Sequence, residues 1–237
     1  MHPAPCFRRA RPALRSLISL LVAAAAADPP RPLPLASEFS VEFAETFAGF
    51  PVAPTTGAWF SDYPRGLWRA EHRSPQANNF CACADNTTTA SCALVFVPDR
   101  NAPSALPEGM YVDFFDSSPA SCCRLCGAAE GCTPLRPDWL SASPSLAYAG
   151  VDGVGCDRWC VPGDSANVDC MSFARGGGSR VPCQYFELFE MGPAGNITHN
   201  LTFVADTYAE GPQGDDLFAL RPECNKPCAQ IFPTQCG

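Results

Sequence analysis

Lysine and histidine are scarce in this sequence, with one lysine, Lys226, and three histidines in 237 residues, and lysine and arginine together number 16 against 24 acidic residues. That balance repels nucleic acid and anionic membrane surfaces. Long apolar runs are also missing. Leu17 to Ala27 is eleven residues, short of the roughly 20 that a membrane-spanning helix needs, and the end, Ile231 to Gly237, lacks a hydrophobic tail for a lipid anchor. No phosphate loop, dinucleotide fingerprint, calcium loop, Gly-x-Ser-x-Gly elbow or internal repeat is present.

What is there begins with an export signal. Arg8, Arg9, Arg11 and Arg15 precede the apolar run, and Ala25-Ala26-Ala27 supplies small residues for cleavage before Asp28, so residues 1–27 read as a signal peptide. Losing those four of 16 basic residues and no acidic one leaves 12 against 24, a net charge of −12. Residues 28–237 suit a single domain, and Asp28 to Pro34 reads as a flexible proline-rich leader to it.

The 15 cysteines divide into Cys6, in the leader, and fourteen others: Cys81, Cys83, Cys92, Cys122, Cys123, Cys126, Cys132, Cys156, Cys160, Cys170, Cys183, Cys224, Cys228 and Cys236. An even count behind an export signal is a disulfide framework in an oxidising compartment, with no metal or other cofactor required. A zinc site from Cys81/Cys83, Cys156/Cys160 and Cys224/Cys228 is the weaker use of those spacings. Cys170 and Cys183 are close enough to tie across one hairpin, and the last three cysteines anchor the tail.

Twenty-five prolines and eighteen glycines interrupt most helical patterns, and the surviving period is two. Phe39, Val41, Phe43 and Phe47 alternate with Glu38, Ser40, Glu42 and Thr46, as in a half-buried strand. Ala58 to Arg73, Ala93 to Val97 and Met110 to Phe115 read as strands or hairpins. Val168 to Ala174 and Arg180 to Met191 flank Gly176-Gly177-Gly178, a hairpin signal because glycine accepts the positive φ of tight turns. Asn196 to Tyr208 and Asp216 to Leu220 complete seven or eight antiparallel strands. Ser118 to about Asp164 differs, being dense in cysteine and proline. Within it, Ser118-Pro119 to Cys126-Gly127 carries a serine cap, a first-turn proline and a glycine stop, which predicts one short, disulfide-pinned helix.

Asn86, Asn196 and Asn200 head glycosylation sequons. The last two are four apart in one strand and share a face with Thr198 and Thr202, while Ile197, His199, Leu201, Phe203 and Ala205 form the other. A sheet wet on one side and apolar on the other must be covered by helices or wrapped around a ligand, and this chain has few helices. The expected lining is Phe39, Val41, Phe43, Phe186, Leu188, Leu201 and Phe203, with His199 as a core histidine or a polar contact inside the cavity; whether Tyr185 or Phe186 faces inward is left open. His72, between Glu71 and Arg73, is expected to face solvent. Glu187 and Glu190, three apart in a strand, point to opposite sides, which counts against a glycosidase pair. Asp215-Asp216 reads as an exposed turn. Catalytic residues are not expected. Cys123 and Cys126, in the first turns of the predicted helix, would be the pair in a thiol oxidoreductase.

The order of several small signatures resembles the ependymin-related secreted proteins, which share a fold with bacterial lipoprotein carriers of the LolA type. They are Phe39 to Phe47, Gly57-Ala-Trp-Phe-Ser-Asp62 leading to Arg69, Met110-Tyr-Val-Asp113 before a cysteine cluster, Pro137-Asp-Trp-Leu140, Gly155-Cys156-Asp157-Arg158-Trp159 before Asn167-Val-Asp169, Val181-Pro182, and Leu217-Phe218-Ala-Leu-Arg-Pro222 with Cys224. The resemblance implies a mostly β fold, a strongly curved antiparallel sheet forming a half-barrel around an apolar cavity. It further implies a glycosylated secreted or lysosomal protein without catalysis; some members bind calcium, through residues with no match here. The chain has more cysteines than that family's usual few. Cys122-Cys123-Arg-Leu-Cys126 with Cys132 also resembles the core of PAN/apple adhesion modules, over some 15 residues.

The expectation is a secreted, non-catalytic glycoprotein that binds a hydrophobic small molecule or lipid. An extracellular adhesion or matrix protein using the cysteine-rich lobe is the alternative. Ligand identity, disulfide pairing and oligomeric state are left open, a homodimer being one arrangement.

Overall fold

The computed structural model describes residues 29–48, 54–73, 81, 91–99, 106–116, 121–163, 167–175, 178–190 and 196–228. They form one antiparallel sheet of twelve strands. In chain order these are β1 (Glu38–Ala48), β2 (Thr55–Asp62), β3 (Leu67–Arg73), β4 (Cys92–Val97), β5 (Gly109–Phe114), β6 (Ser121–Cys126), β7 (Ala147–Val151), β8 (Asp157–Pro162), β9 (Val168–Phe173), β10 (Pro182–Glu190), β11 (Asn196–Phe203) and β12 (Ala209–Glu210). The spatial order is β6-β5-β4-β3-β2-β1-β11-β10-β9-β8-β7, with β12 against the start of β1. Two meanders therefore meet where β1 pairs with β11. The mostly β, open-sheet expectation holds.

The sheet curls. Met110 on β5 and Asp169 on β9 border the same cavity, although seven strand steps separate them in the sheet order. At about 4.8 Å per step they would stand about 34 Å apart on a flat sheet. Residues of both wings instead close on one pocket of ≈ 460 Å³, and Trp59 of β2 shares a core with Trp159 of β8 and Phe173 of β9, so the two wings bend toward one another.

Period-two patterning fixes which residues point into the curl. β1 buries Phe39, Val41, Phe43 and Glu45 and exposes Glu42, Ala44 and Thr46. β11 buries His199, Leu201 and Phe203, and Asn200 and Thr202 take the opposite side by alternation. Phe39, Val41, Phe43, Leu201 and Phe203 join Trp59, Trp159, Met171 and Phe173 in the main core. Gly57 on β2 has no room for a Cβ, which would meet the Glu71 carbonyl and the Phe43 ring. The hairpin expected over Ala58 to Arg73 is β2–β3, turned by the 3₁₀ segment Tyr63–Arg65 and Gly66 at φ 69°.

The wing from β3 to β5 is buried on both faces. Its outer face packs Leu67, Val95, Val97 and Tyr111 against Phe218 and Cys224 of the C-terminal tail. Arg69 bonds Glu71 at 2.9 Å, and Arg221 of the tail reaches Asp113 on β5 at 3.3 Å. Burial raises the Asp113 carboxyl above its usual range, with Arg69 and Arg221 opposing the shift. Tail residues 226–228 then run parallel to β6, with hydrogen bonds from the Arg124 amide to the Lys226 carbonyl (2.7 Å) and from the Cys228 amide to the Arg124 carbonyl (3.0 Å). An otherwise open sheet edge is thereby covered.

Four expectations need correction here. Ser121 to Cys126 is a strand, not a helix: adjacent Cys122 and Cys123 bond Cys224 and Cys228, and side chains of neighbouring residues reach opposite faces in a strand. Residues 118–164 are not a separate helical insertion, since β6, β7 and β8 belong to the common sheet. Cys170 and Cys183 do not pair; Cys160 bonds Cys170 across the β8–β9 ladder, and Cys156 bonds Cys183. Asp216 to Leu220 is not a strand but follows from a 3₁₀ turn, Asp215–Leu217, whose two aspartates are exposed as expected.

Cys81–Cys92 and Cys126–Cys132 bring the disulfides among the described residues to six. Cys83, Cys236 and Asn86 lie outside the described residues. No helix among those described is long and apolar enough to cross a membrane.

Candidate functional site: a strapped cavity inside the curl

Strands β6 and β7 are consecutive in the chain yet stand at opposite edges of the sheet. The segment between them, residues 127–146, has to cross the open side, and it does so as a strap. Cys126–Cys132 fastens its start, and the Leu35 amide donates to the Pro137 carbonyl at 3.0 Å. Leu140 enters the main core, with Leu135, Trp139 and Leu146 packed against it.

Between strap and sheet lies a cavity of ≈ 460 Å³, within the range of about 300–1,000 Å³ typical of small-molecule sites. One wall, from β2 to β5, presents Trp59, Trp68, Ala70, His72, Leu94 and Met110; the strap adds Thr133, Pro134, Leu135, Arg136 and Trp139. The opposite wall is polar. Asp169, Glu187 and His199 form one cross-strand row on β9, β10 and β11, with Tyr185 and Leu201 in the next row.

Behind this wall is a buried ion cluster. Glu45 accepts from the Thr55 hydroxyl at 2.8 Å and holds His72 Nδ1 at 3.0 Å and His199 Nε2 at 2.9 Å. Glu187 stands 3.5 Å from His199 Nδ1, and the Phe47 ring stacks on His199 at 4.4 Å between centroids. Burial acts to raise the Glu45 carboxyl, yet the charge of His72 and the hydrogen bonds of both histidines outweigh it, holding the carboxyl well below the usual range. Burial acts to lower His199, but hydrogen bonds to Glu187 and Glu45 outweigh it and raise its pKa. Tyr185 donates to Asp169 at 3.3 Å; burial, then the charges of Glu187 and Asp169, push its phenol well above the ordinary value.

Of the expected lining, His199 and Leu201 border the cavity, while Phe39, Val41, Phe43 and Phe203 form the core beneath it. Phe186 and Leu188 do not line it. They pair with Asn200 and Thr198, on the outer face, where Phe186 lies under the Arg158 guanidinium at 5.1 Å. The inward residues of β10 are Tyr185 and Glu187. His72 does not face solvent: it is 3 % exposed, because Glu71 and Arg73 point to the other side of β3 and bond each other there at 2.6 Å. The Glu190 side chain is outside those described. Ala205 lies beyond the end of β11 in an exposed 3₁₀ turn.

Glu45 escaped the sequence reading. Its signal was its phase, a carboxylate two residues after Phe43 and two before Phe47, on the apolar face. The strap residues gave no periodic signal at all.

Cys123 and Cys126 are bonded to Cys228 and Cys132 respectively, so Cys-Arg-Leu-Cys does not form an internal pair. No family model matches the chain, and no curated protein matches it.

Proposed function

We propose that this protein is a secreted, disulfide-stabilised glycoprotein that binds a hydrophobic small molecule or lipid without catalysis, in the manner of the ependymin-related and LolA-type carriers it resembles. The observation that carries this reading is the strapped cavity with its aromatic wall of Trp59, Trp68 and Trp139. Removing a ligand's apolar surface from water there is worth about 25 cal/mol per Å², before the costs of ordering are subtracted. The six disulfides support an oxidising, extracellular or lysosome-like setting. The outward register of Asn200 supports glycosylation on the wet face.

Native mass spectrometry of protein secreted from cultured cells tests this, together with quenching of tryptophan fluorescence by a long-chain alcohol. Saturable one-to-one uptake is expected. Failure of every hydrophobe to bind at one-to-one stoichiometry would sink the reading.

A further inference from the structure

The two walls differ in chemistry, and the polar wall differs from what a fatty-acid carrier needs. Fatty-acid binding asks for an unengaged cation. The guanidinium bordering this cavity belongs to Arg136, which already bonds both oxygens of Asp138 at 3.0 and 2.9 Å. His199 stands between Glu45 and Glu187. Counting Glu45, Asp169 and Glu187 against His72 and His199, the group stays at one net negative charge even with both histidines protonated. A second carboxylate brought beside these carboxylates would be repelled or forced to take up a proton.

An ammonium meets the opposite conditions. Asp169 and Glu187 border the cavity; Asp169 accepts from Tyr185 and Glu187 stands beside His199, but a carboxylate has about four lone-pair sites and can accept a further, charge-assisted bond. Trp59, Trp68 and Tyr185 present aromatic rings, which attract cations through their faces. We infer that the ligand class is a single-chain lipophilic amine, its ammonium against Asp169 and Glu187 and its chain along Trp59, Trp68, Leu94 and Met110. This rests on the carrier reading above.

The test titrates the full secreted protein with dodecylamine, dodecanol and dodecanoate, each below its micelle concentration, at neutral pH, by calorimetry. The amine is expected to bind at least tenfold tighter than the alcohol, and the carboxylate weakest, all at one site. Glu187→Gln and Asp169→Asn should each cut amine affinity about tenfold and leave the alcohol unchanged, which also shows an intact cavity. Asp206→Asn, on the exposed surface, should change neither, which separates the site from attraction to an acidic surface. If dodecanoate binds as tightly as the amine, or Asp206→Asn costs as much as Glu187→Gln, the amine inference is overturned while the carrier reading stands. If none of the three binds, both fall.

Discussion

The two wings of the sheet solve the same problem in different ways. The β3–β5 wing is buried on both faces, with the Arg69–Glu71 and Arg221–Asp113 pairs set among its outer apolar residues, and the tail covers its outside, held by Cys122–Cys224 and Cys123–Cys228. The β1–β11–β10 wing leaves its outside wet and places charge inside, around Glu45. One wing is closed by covalent bonds spanning about a hundred residues, the other by a buried ion cluster. The first is built to stay shut, while the second is polar where it borders the cavity.

The largest effect in this contrast should come from the covalent side. Replacing Cys122, Cys123, Cys224 and Cys228 together with alanine removes both nearly coincident cross-links and opens a loop of 105 residues, for which chain-entropy arguments give about 4–5 kcal/mol; urea unfolding measures it. A loss under about 1 kcal/mol would mean that apolar packing alone holds the tail.

Glu45→Ala should cost about 3–5 kcal/mol, because it strands two histidines without their shared carboxylate. Its pH signature is specific. The Glu45 carboxyl is depressed when folded, so its contribution is full above its ordinary value of 4.5 and is lost as pH falls through the lower folded value. His199 is raised, so its contribution is full below 6.5 and fades as pH rises through the folded value. Stability of the wild type should therefore peak between these limits, and Glu45→Ala should flatten both limbs. An unchanged pH profile would remove the cluster from the stability account.

Leu201→Ala removes side-chain volume from both core and cavity wall and should cost about 2–4 kcal/mol, with a measurable loss of alcohol binding. Asn200→Gln, one residue away on the outer face, should shift stability by less than about 0.5 kcal/mol. If these neighbours behave alike, the assignment of faces on β11 is wrong.

How far the sequence spoke depends on whether the deciding partner is near in the chain. The alternation in β1 and β11 is local, as is the glycine-rich sequence signal between the paired strands β9 and β10, and both were legible. The β6 region carried good local helix signals in Ser118, Pro119 and Gly127. They were overridden by Cys224 and Cys228, roughly a hundred residues on, which require adjacent cysteines to face opposite ways. His72 looked solvated because its chain neighbours are charged, but strand neighbours point away from one another. Tyr185 and Phe186 are equally apolar to a pattern, and only the register against Leu201 and Asn200 separates them. The strap had no period to read, since it follows a path set by the distance between two sheet edges.

The seam between β1 and β11 also bears on how the chain is made. Phe43 pairs with Phe203, 160 residues later. At about 5–20 residues per second, β1 waits about ten to thirty seconds with one edge unpaired. Edge strands of that kind recruit other chains. The vulnerable moment in this protein's life is thus its synthesis, and conditions that slow translation or deplete chaperones should raise aggregated nascent protein before they alter the finished molecule.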